Sequence, residues 1–134
     1  MGAEIGVTEE TAARAYAKAW NRLDCAEFLK LLAPDASYSS FWVFNDLEGR
    51  EAIVEYLTAK MRNLAAGADH AFAELATTTK GFGGPGRPCV ALAQGDKDIV
   101  KVIVTFEVEA GLIKRVDLAA PEFFAAIRSG EYPR

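Results

Sequence analysis

Few side chains in this sequence could do chemistry, and they are spread along the chain. Tyr16 carries a phenol on an apolar helical stripe, His70 is the single histidine, and Asp117 lies in the last alternating segment. A phenol can donate a hydrogen bond to a ligand oxygen, and an imidazole or carboxylate can move a proton. These three residues are therefore the candidate catalytic residues.

Each candidate also has a purely structural interpretation. Tyr16 could be a core tyrosine whose hydroxyl meets a backbone carbonyl or the edge of a pocket. His70 follows a helix terminator, and a lone histidine at such a boundary is usually exposed or capping. Asp117 could pair with Arg115, two residues earlier on the same strand face, and we favour that ion pair.

Aromatic and hydroxyl side chains cluster in the first third of the chain. Tyr16 and Trp20 are one helical turn apart, an unusual choice for a stripe that only fills space. Further on, one side of a strand carries Tyr38, Ser40 and Trp42, and the other side carries Ser37, Ser39 and Phe41. Whichever set faces inward brings at least one hydroxyl into a cavity there. The predicted ligand-binding residues are Tyr16, Trp20, Tyr38, Ser40, Trp42, Val102 and Val104.

The elements that must position these residues follow from periodicity and from capping residues. Thr8 is a good N-cap, with two glutamates after it in the first turn. Asp24, with a glutamate three residues later, resembles a capping box for a short second helix that Pro34 ends. The sequence predicts a first helix to about Leu23, that short helix, a strand over Ala36–Val43 and a helix over about Glu48–Leu64.

After Gly67 the apolar period changes from helical to alternating, which predicts strands. The predicted strands are Phe72–Phe82, Cys89–Gln94, Ile99–Val108 and Leu112–Ala119, followed by a short C-terminal helix that Pro121 opens and that packs through Phe123, Phe124 and Ile127. The third strand places alternate valines on one face, which the helices must cover, while its mixed face could meet solvent or a second subunit. Helices first and antiparallel strands afterwards predict a single α+β domain over residues 1–134.

Two details of these strands bear on a ligand cavity and on a partner surface. Small side chains at Cys89, Ala91 and Ala93 are interpreted as leaving volume for a ligand. The row Ile113, Arg115 and Asp117 is interpreted as an outer, partner-facing row.

Composition and charge exclude several classes of function. The net charge is −4 with scattered Lys and Arg, whereas nucleic-acid binding needs a basic stripe. We see no secretory signal and no apolar run near the roughly 20 residues that span a bilayer. The cysteines, Cys25 and Cys89, fit no metal-ligand spacing, and no cofactor motif appears. We therefore expect a cytoplasmic protein without metal, cofactor, nucleic-acid partner or membrane partner.

The order of elements resembles the NTF2-like superfamily, especially its SnoaL-like and ketosteroid-isomerase-like branches. The resemblance rests on Ala15–Phe41, on LEGREAIVEYL (Leu47–Leu57) and on VIVTFEVEAGLIKRVDL (Val102–Leu118). It implies a cone, in which a strongly bent, mostly antiparallel sheet wraps around a long helix and encloses an open-ended apolar cavity. It also implies a homodimer formed through the outer face of the sheet.

The catalytic positions that the resemblance implies are matched only in part by this sequence. Tyr16 stands where ketosteroid isomerases keep the tyrosine that donates to an enolate oxygen. Their general-base aspartate falls near Ser40, and their second oxyanion donor falls near Val104 and Thr105, where no carboxyl group is present. Asp117 on the last strand is the closest analogue of the acid–base residues of SnoaL-like cyclases. Ketosteroid isomerisation by that mechanism is therefore not expected.

The sequence predicts a pocket that binds a small apolar, oxygen-bearing molecule. An acid–base enzyme of the isomerase, cyclase or hydrolase type is one interpretation. A non-catalytic ligand-binding module or a dimeric accessory domain is the alternative, because inward carboxylates are scarce. Whether the protein is an enzyme stays open at this level.

Overall fold

The computed structural model describes residues 7–40, 46–67, 70–80, 84–121 and 125–134. Within these ranges the helices are α1 (Glu9–Arg22), α2 (Ala26–Leu29) and α3 (Arg50–Ala66). The strands are β1 (Leu32–Ser40), β2 (Leu47–Glu48), β3 (Ala71–Lys80), β4 (Pro88–Gln94), β5 (Val100–Glu109), β6 (Leu112–Ala119) and β7 (Ala125–Arg128).

The strands form one curled, unclosed sheet in the order β2-β1-β6-β5-β4-β3-β7. Neighbouring strands are antiparallel except for β1 and β6, which run parallel. The predicted α+β cone with a mostly antiparallel sheet is therefore confirmed.

Helix α1 forms as the capping residues predict and fills the concave side of the sheet. The Thr8 side chain accepts a hydrogen bond from the Thr11 backbone N–H, and the helix ends where Leu23 takes a left-handed conformation with φ 54°. The helix contacts β3, β4 and β5. Its buried residues are Ala12, Ala13, Tyr16, Ala17, Ala19 and Trp20.

The core lies between α1 and the inner face of the sheet. On β5, Val102, Val104 and Phe106 are fully buried, as the alternation predicts. The prediction is wrong for Val100, which packs with Ile103 on the other face because the pairing with β4 is irregular at this point. The Tyr16 ring meets those of Phe28 and Phe106 edge-on, with centroids 5.0 and 5.4 Å apart. Such edge-to-face aromatic packing fixes the position of Tyr16 beyond simple burial.

The start of the first strand and the type of the C-terminal element differ from the prediction. Strand β1 begins at Leu32 rather than Ala36, so that Pro34 lies inside it. The predicted C-terminal helix is wrong: Ala125–Arg128 is a strand that pairs with β3, and Ile127 is 66% exposed. Pairing satisfies backbone groups along the β3 edge that a helix would leave open. Phe123 and Phe124 lie outside the described residues.

Irregular strand pairing also changes which face some residues occupy. A register shift beside Glu107 and Val108 turns Ile113 into the core, so the predicted outer row is wrong at that residue. Cys89 and Ala91 pack with Ile103 in a second cluster, apart from the main core. These two small residues therefore do not provide volume for a ligand.

Candidate functional site

A cavity of about 910 Å³ opens between α3 and the adjoining ends of β3, β4 and β5. Its inner part is predominantly apolar, and its outer part is polar. The described lining residues are Trp20, Tyr38, Tyr56, Lys60, Asn63, Leu64, Gly67, Ala71, Leu92, Ala93, Gln94, Lys101, Val102 and Leu118. The volume and the apolar inner wall are typical of a site for a small organic molecule.

Two buried phenols are joined beside the inner part of the cavity. The hydroxyls of Tyr16 and Tyr38 lie 2.8 Å apart, and both side chains are buried, with exposures of 0% and 1%. Tyr38 lines the cavity, whereas Tyr16 lies one layer behind it. Burial raises the pKa of each phenol well above its ordinary value of 10.0. Both hydroxyls therefore stay protonated and can act as hydrogen-bond donors at neutral pH.

Trp20 supplies a second polar atom in this wall. The residue lines the cavity and its ring meets Tyr16 edge-on at 6.2 Å. Its indole Nε1 is buried and makes no hydrogen bond of regular geometry with the described residues, although it lies close enough to Tyr16 to offset part of the rise that burial causes in the pKa of that phenol. A buried donor without a partner is costly in an apolar core, which makes this N–H a candidate contact for a ligand oxygen.

The mouth of the cavity carries exposed polar side chains from α3, β4 and β5. Lys60, Asn63, Gln94 and Lys101 are exposed lining residues. The Lys60 ammonium lies 5.6 Å from the centroid of the Tyr56 ring. The Tyr56 ring is in turn 5.7 Å from that of Tyr38. Aromatic rings therefore connect the cationic mouth to the buried hydroxyl pair.

The structure places the predicted ligand-binding residues at different depths. Trp20, Tyr38 and Val102 line the cavity. Val104 and Ser40 are buried on the inner face without lining it. Trp42 lies outside the described residues.

The candidate catalytic residues are not brought together. Asp117 forms the favoured ion pair with Arg115, at 2.9 Å, and Arg115 also donates to the Ser37 hydroxyl at 3.0 Å. His70 is exposed, with its ring 6.5 Å from that of Phe72, and it does not line the cavity. The catalytic roles of Tyr16, Asp117 and His70 stay predictions.

Sequence reasoning missed the polar mouth. Tyr56 and Lys60 are four residues apart on α3, a spacing that places them on one helix face and could have indicated a shared surface. Lys101 gave no such signal, because its position depends on an irregularity in strand pairing.

Two general properties of the described ranges also concern the site. In these ranges, no group of three or more His, Cys, Asp or Glu side chains is placed to hold a metal ion. Nor does any helix there have both the length and the apolar content needed to cross a bilayer.

Comparison with known proteins identifies the family. Residues 13–116 match the family model of the SnoaL-like domain, and the chain belongs to this family. The predicted NTF2-like, SnoaL-like relationship is therefore confirmed. Comparison with curated proteins gives no significant match.

Solved structures show the same fold at low sequence identity. A SnoaL-like protein of unknown function from Burkholderia thailandensis has 17% identity and a TM-score of 0.59, covering 93% of this chain and 99% of that one. An uncharacterised cystatin-fold protein from Novosphingobium aromaticivorans has 20% identity and a TM-score of 0.56, covering 85% and 99%. A proposed polyketide cyclase from Sinorhizobium meliloti has 16% identity and a TM-score of 0.55, covering 81% and 93%.

Proposed function

We propose that this SnoaL-like domain binds a small apolar, oxygen-bearing molecule in the cavity, and that Tyr38 hydrogen-bonds the ligand oxygen. The observation that carries the proposal is the Tyr16–Tyr38 hydroxyl pair, buried beside an apolar cavity of about 910 Å³. Tyr16 holds the Tyr38 hydroxyl in place and supplies its second hydrogen-bond partner. The Trp20 indole N–H offers a further donor in the same wall.

Binding is favoured over acid–base turnover by the chemistry of the lining. The described lining residues include no carboxylate and no imidazole. Proton abstraction next to a carbonyl needs a base within reach of the ligand. The phenols can polarise an oxygen, but their raised pKa values keep them from serving as bases at neutral pH.

The binding proposal is tested with two ligands of the same shape. Acetylnaphthalene carries a carbonyl oxygen, and ethylnaphthalene replaces it with hydrogen atoms. Both are titrated in competition with the fluorescent apolar probe phenylnaphthylamine. We expect the ketone to bind about tenfold more tightly, because a buried hydrogen-bond donor left unpaired costs about 1–3 kcal/mol.

Two variants make this test specific to the cavity. Tyr38→Phe should abolish the preference for the ketone while keeping the binding of ethylnaphthalene. Leu64→Trp, which fills part of the cavity, should weaken both ligands and the probe. Absence of probe binding to the unmodified protein would overturn the proposal.

Acid–base turnover of the cyclase type is the second candidate function. The neighbour from Sinorhizobium meliloti that is named as a proposed polyketide cyclase favours it, together with a hydroxyl pair that can polarise a ketone. Enzymatic proton abstraction would exchange the methyl protons of acetylnaphthalene for deuterium in heavy water. Exchange above the buffer rate, lost in Tyr38→Phe, would establish turnover; exchange at the buffer rate supports binding alone.

A further inference from the structure

We infer that the ligand of this cavity is an amphipathic anion whose negatively charged oxygen group, of the carboxylate class, lies at the mouth beside Lys101 and Lys60. The inference rests on the proposed function and extends it to the class of ligand. The two lysines come from different elements, β5 and α3, and both line the same opening.

The first argument is the charge at the mouth. The chain as a whole carries a net charge of −4. Among the described lining residues, however, the charged side chains are the two lysines. A cationic opening on an anionic molecule concentrates an oppositely charged ligand locally, and it disfavours cationic ligands of the same shape.

The second argument is how the backbone positions Lys101. Val102 pairs with Leu92 and Val100 pairs with Ala93, so Lys101 is an extra residue without a counterpart on β4. In a regular strand, Lys101 would face away from the side occupied by the inward Val102. Because of the bulge, both residues line the cavity: Val102 lies in its apolar wall and Lys101 lies at its mouth.

The third argument is the position of Lys60 over an aromatic ring. Its ammonium lies 5.6 Å from the Tyr56 centroid, a distance at which a cation is attracted to the ring face. This contact holds the charge near the opening instead of leaving it to extend into solvent. An apolar ligand body between Tyr38, Leu92 and Leu118 would thus end close to a positioned cation.

The test compares two fluorescent probes that differ in one charged group. Anilinonaphthalene sulfonate is an aromatic anion, and phenylnaphthylamine has the same aromatic skeleton without the sulfonate. We expect Lys101→Gln to weaken binding of the sulfonate about threefold to tenfold and to change binding of the neutral probe less than twofold. This range corresponds to a partly solvated charge-assisted contact. Lys60→Gln should act in the same direction.

The matched control is Lys30→Gln, which removes an exposed lysine outside the cavity lining. This control should change neither the affinity for the sulfonate nor the affinity for the neutral probe. It thereby separates an effect of the protein's net charge from an effect of the lysines at the mouth. Raising the salt concentration should reduce the preference for the sulfonate in the unmodified protein and should have a smaller effect in Lys101→Gln, in which Lys60 alone remains at the mouth.

The outcomes separate this inference from the proposed function. If the neutral probe binds and Leu64→Trp blocks it, but the lysine variants leave sulfonate affinity unchanged or weaken both probes equally, the anion inference is overturned while the cavity function stands. If neither probe binds the unmodified protein, both are overturned. A loss confined to the sulfonate supports both.

Discussion

At the scale of single residues, the Tyr16–Tyr38 contact is the feature on which the site depends. The hydroxyls are 2.8 Å apart and both side chains are buried. Removing one hydroxyl leaves the other without its partner in a buried setting, whereas removing both leaves an apolar contact of similar shape.

We therefore predict strong coupling between the two tyrosines. Tyr16→Phe and Tyr38→Phe should each lower the free energy of unfolding by about 1–2 kcal/mol, and the double variant should lose less than the sum. Urea denaturation of the four proteins in a double-mutant cycle measures the coupling. Strictly additive losses would contradict a hydrogen bond between these hydroxyls.

The same pair predicts a loss of stability in alkali. Burial raises the pKa of both phenols above the ordinary value of 10.0, so the folded protein keeps protons there that the unfolded chain releases. Stability is therefore fully present below about pH 10 and falls above it, by about 1.4 kcal/mol per pH unit for each phenol that stays protonated.

This alkaline loss is checked by comparing unfolding curves at pH 9 and pH 11. The reference is the Tyr16→Phe, Tyr38→Phe double variant, which shares every other titrating group. The difference in stability between the two proteins should change in favour of the double variant as pH rises. A pH-independent difference would show that the phenols ionise alike in the folded and unfolded states.

At the scale of elements, strand β7 is fastened to β3 by a buried carboxylate. Glu74 is 4% exposed and accepts hydrogen bonds from Arg128 Nε at 2.5 Å and from the Gly130 backbone N–H at 2.6 Å. Backbone bonds between Leu75 and residues 129 and 131 continue the attachment. The C-terminal segment is thus part of the sheet.

Arg128→Ala should loosen this attachment. The variant leaves the Glu74 carboxylate buried without its main charge partner, and we expect a cost of about 2 kcal/mol, less than for a fully buried pair because Arg128 is partly exposed. Hydrogen exchange of the Leu75 and Ser129 amides should accelerate. Exchange of amides in β5 provides the internal control, and equal acceleration there would indicate global destabilisation instead.

The elements show what the sequence could and could not predict. Thr8 capping and the β5 alternation from Val102 to Phe106 are local signals, and the structure follows them. The bulge at Lys101 depends on the register with the adjoining strand β4, and the strand at Ala125–Arg128 depends on β3, which is far away in sequence. No periodicity within either segment records such a partner, so the cavity mouth and the C-terminal strand were missed.

Part of the candidate site could be predicted from the sequence, because some of its residues depend on local patterns and others on contacts between distant segments. Tyr38, Trp20 and Val102 lie on regular elements whose buried faces can be deduced from period alone. The hydroxyl contact between Tyr16 and Tyr38 joins α1 to β1, which no local pattern specifies. Asp117 could be assigned to its ion pair because Arg115 lies two residues away on the same strand.

At the scale of the whole molecule, the predicted homodimer would form through the outer face of the sheet. The centre of the outer sheet face is already covered in the single chain, where Cys89, Ala91 and Ile103 are buried. A partner would therefore contact the more polar part of that face, near Arg115 and Asp117.

We expect sedimentation velocity at micromolar concentration to give twice the mass of one chain. Arg115→Glu should then shift the population toward monomer, because it adds a carboxylate beside Asp117 and Asp46 and so makes the face that a partner would contact strongly negative. Lys30→Glu gives a control at another exposed site. A monomer in the unmodified protein would contradict the prediction.

The joined hydroxyls have one more consequence, which concerns the range of ligands. Either oxygen of the pair can be the donor. When Tyr16 donates to Tyr38, the Tyr38 proton is available to a ketone; when Tyr38 donates to Tyr16, its oxygen can accept from an alcohol. Rotation of two O–H bonds thus reverses the polarity of the site without moving a heavy atom. One cavity can then form a hydrogen bond with a carbonyl compound or with the corresponding alcohol.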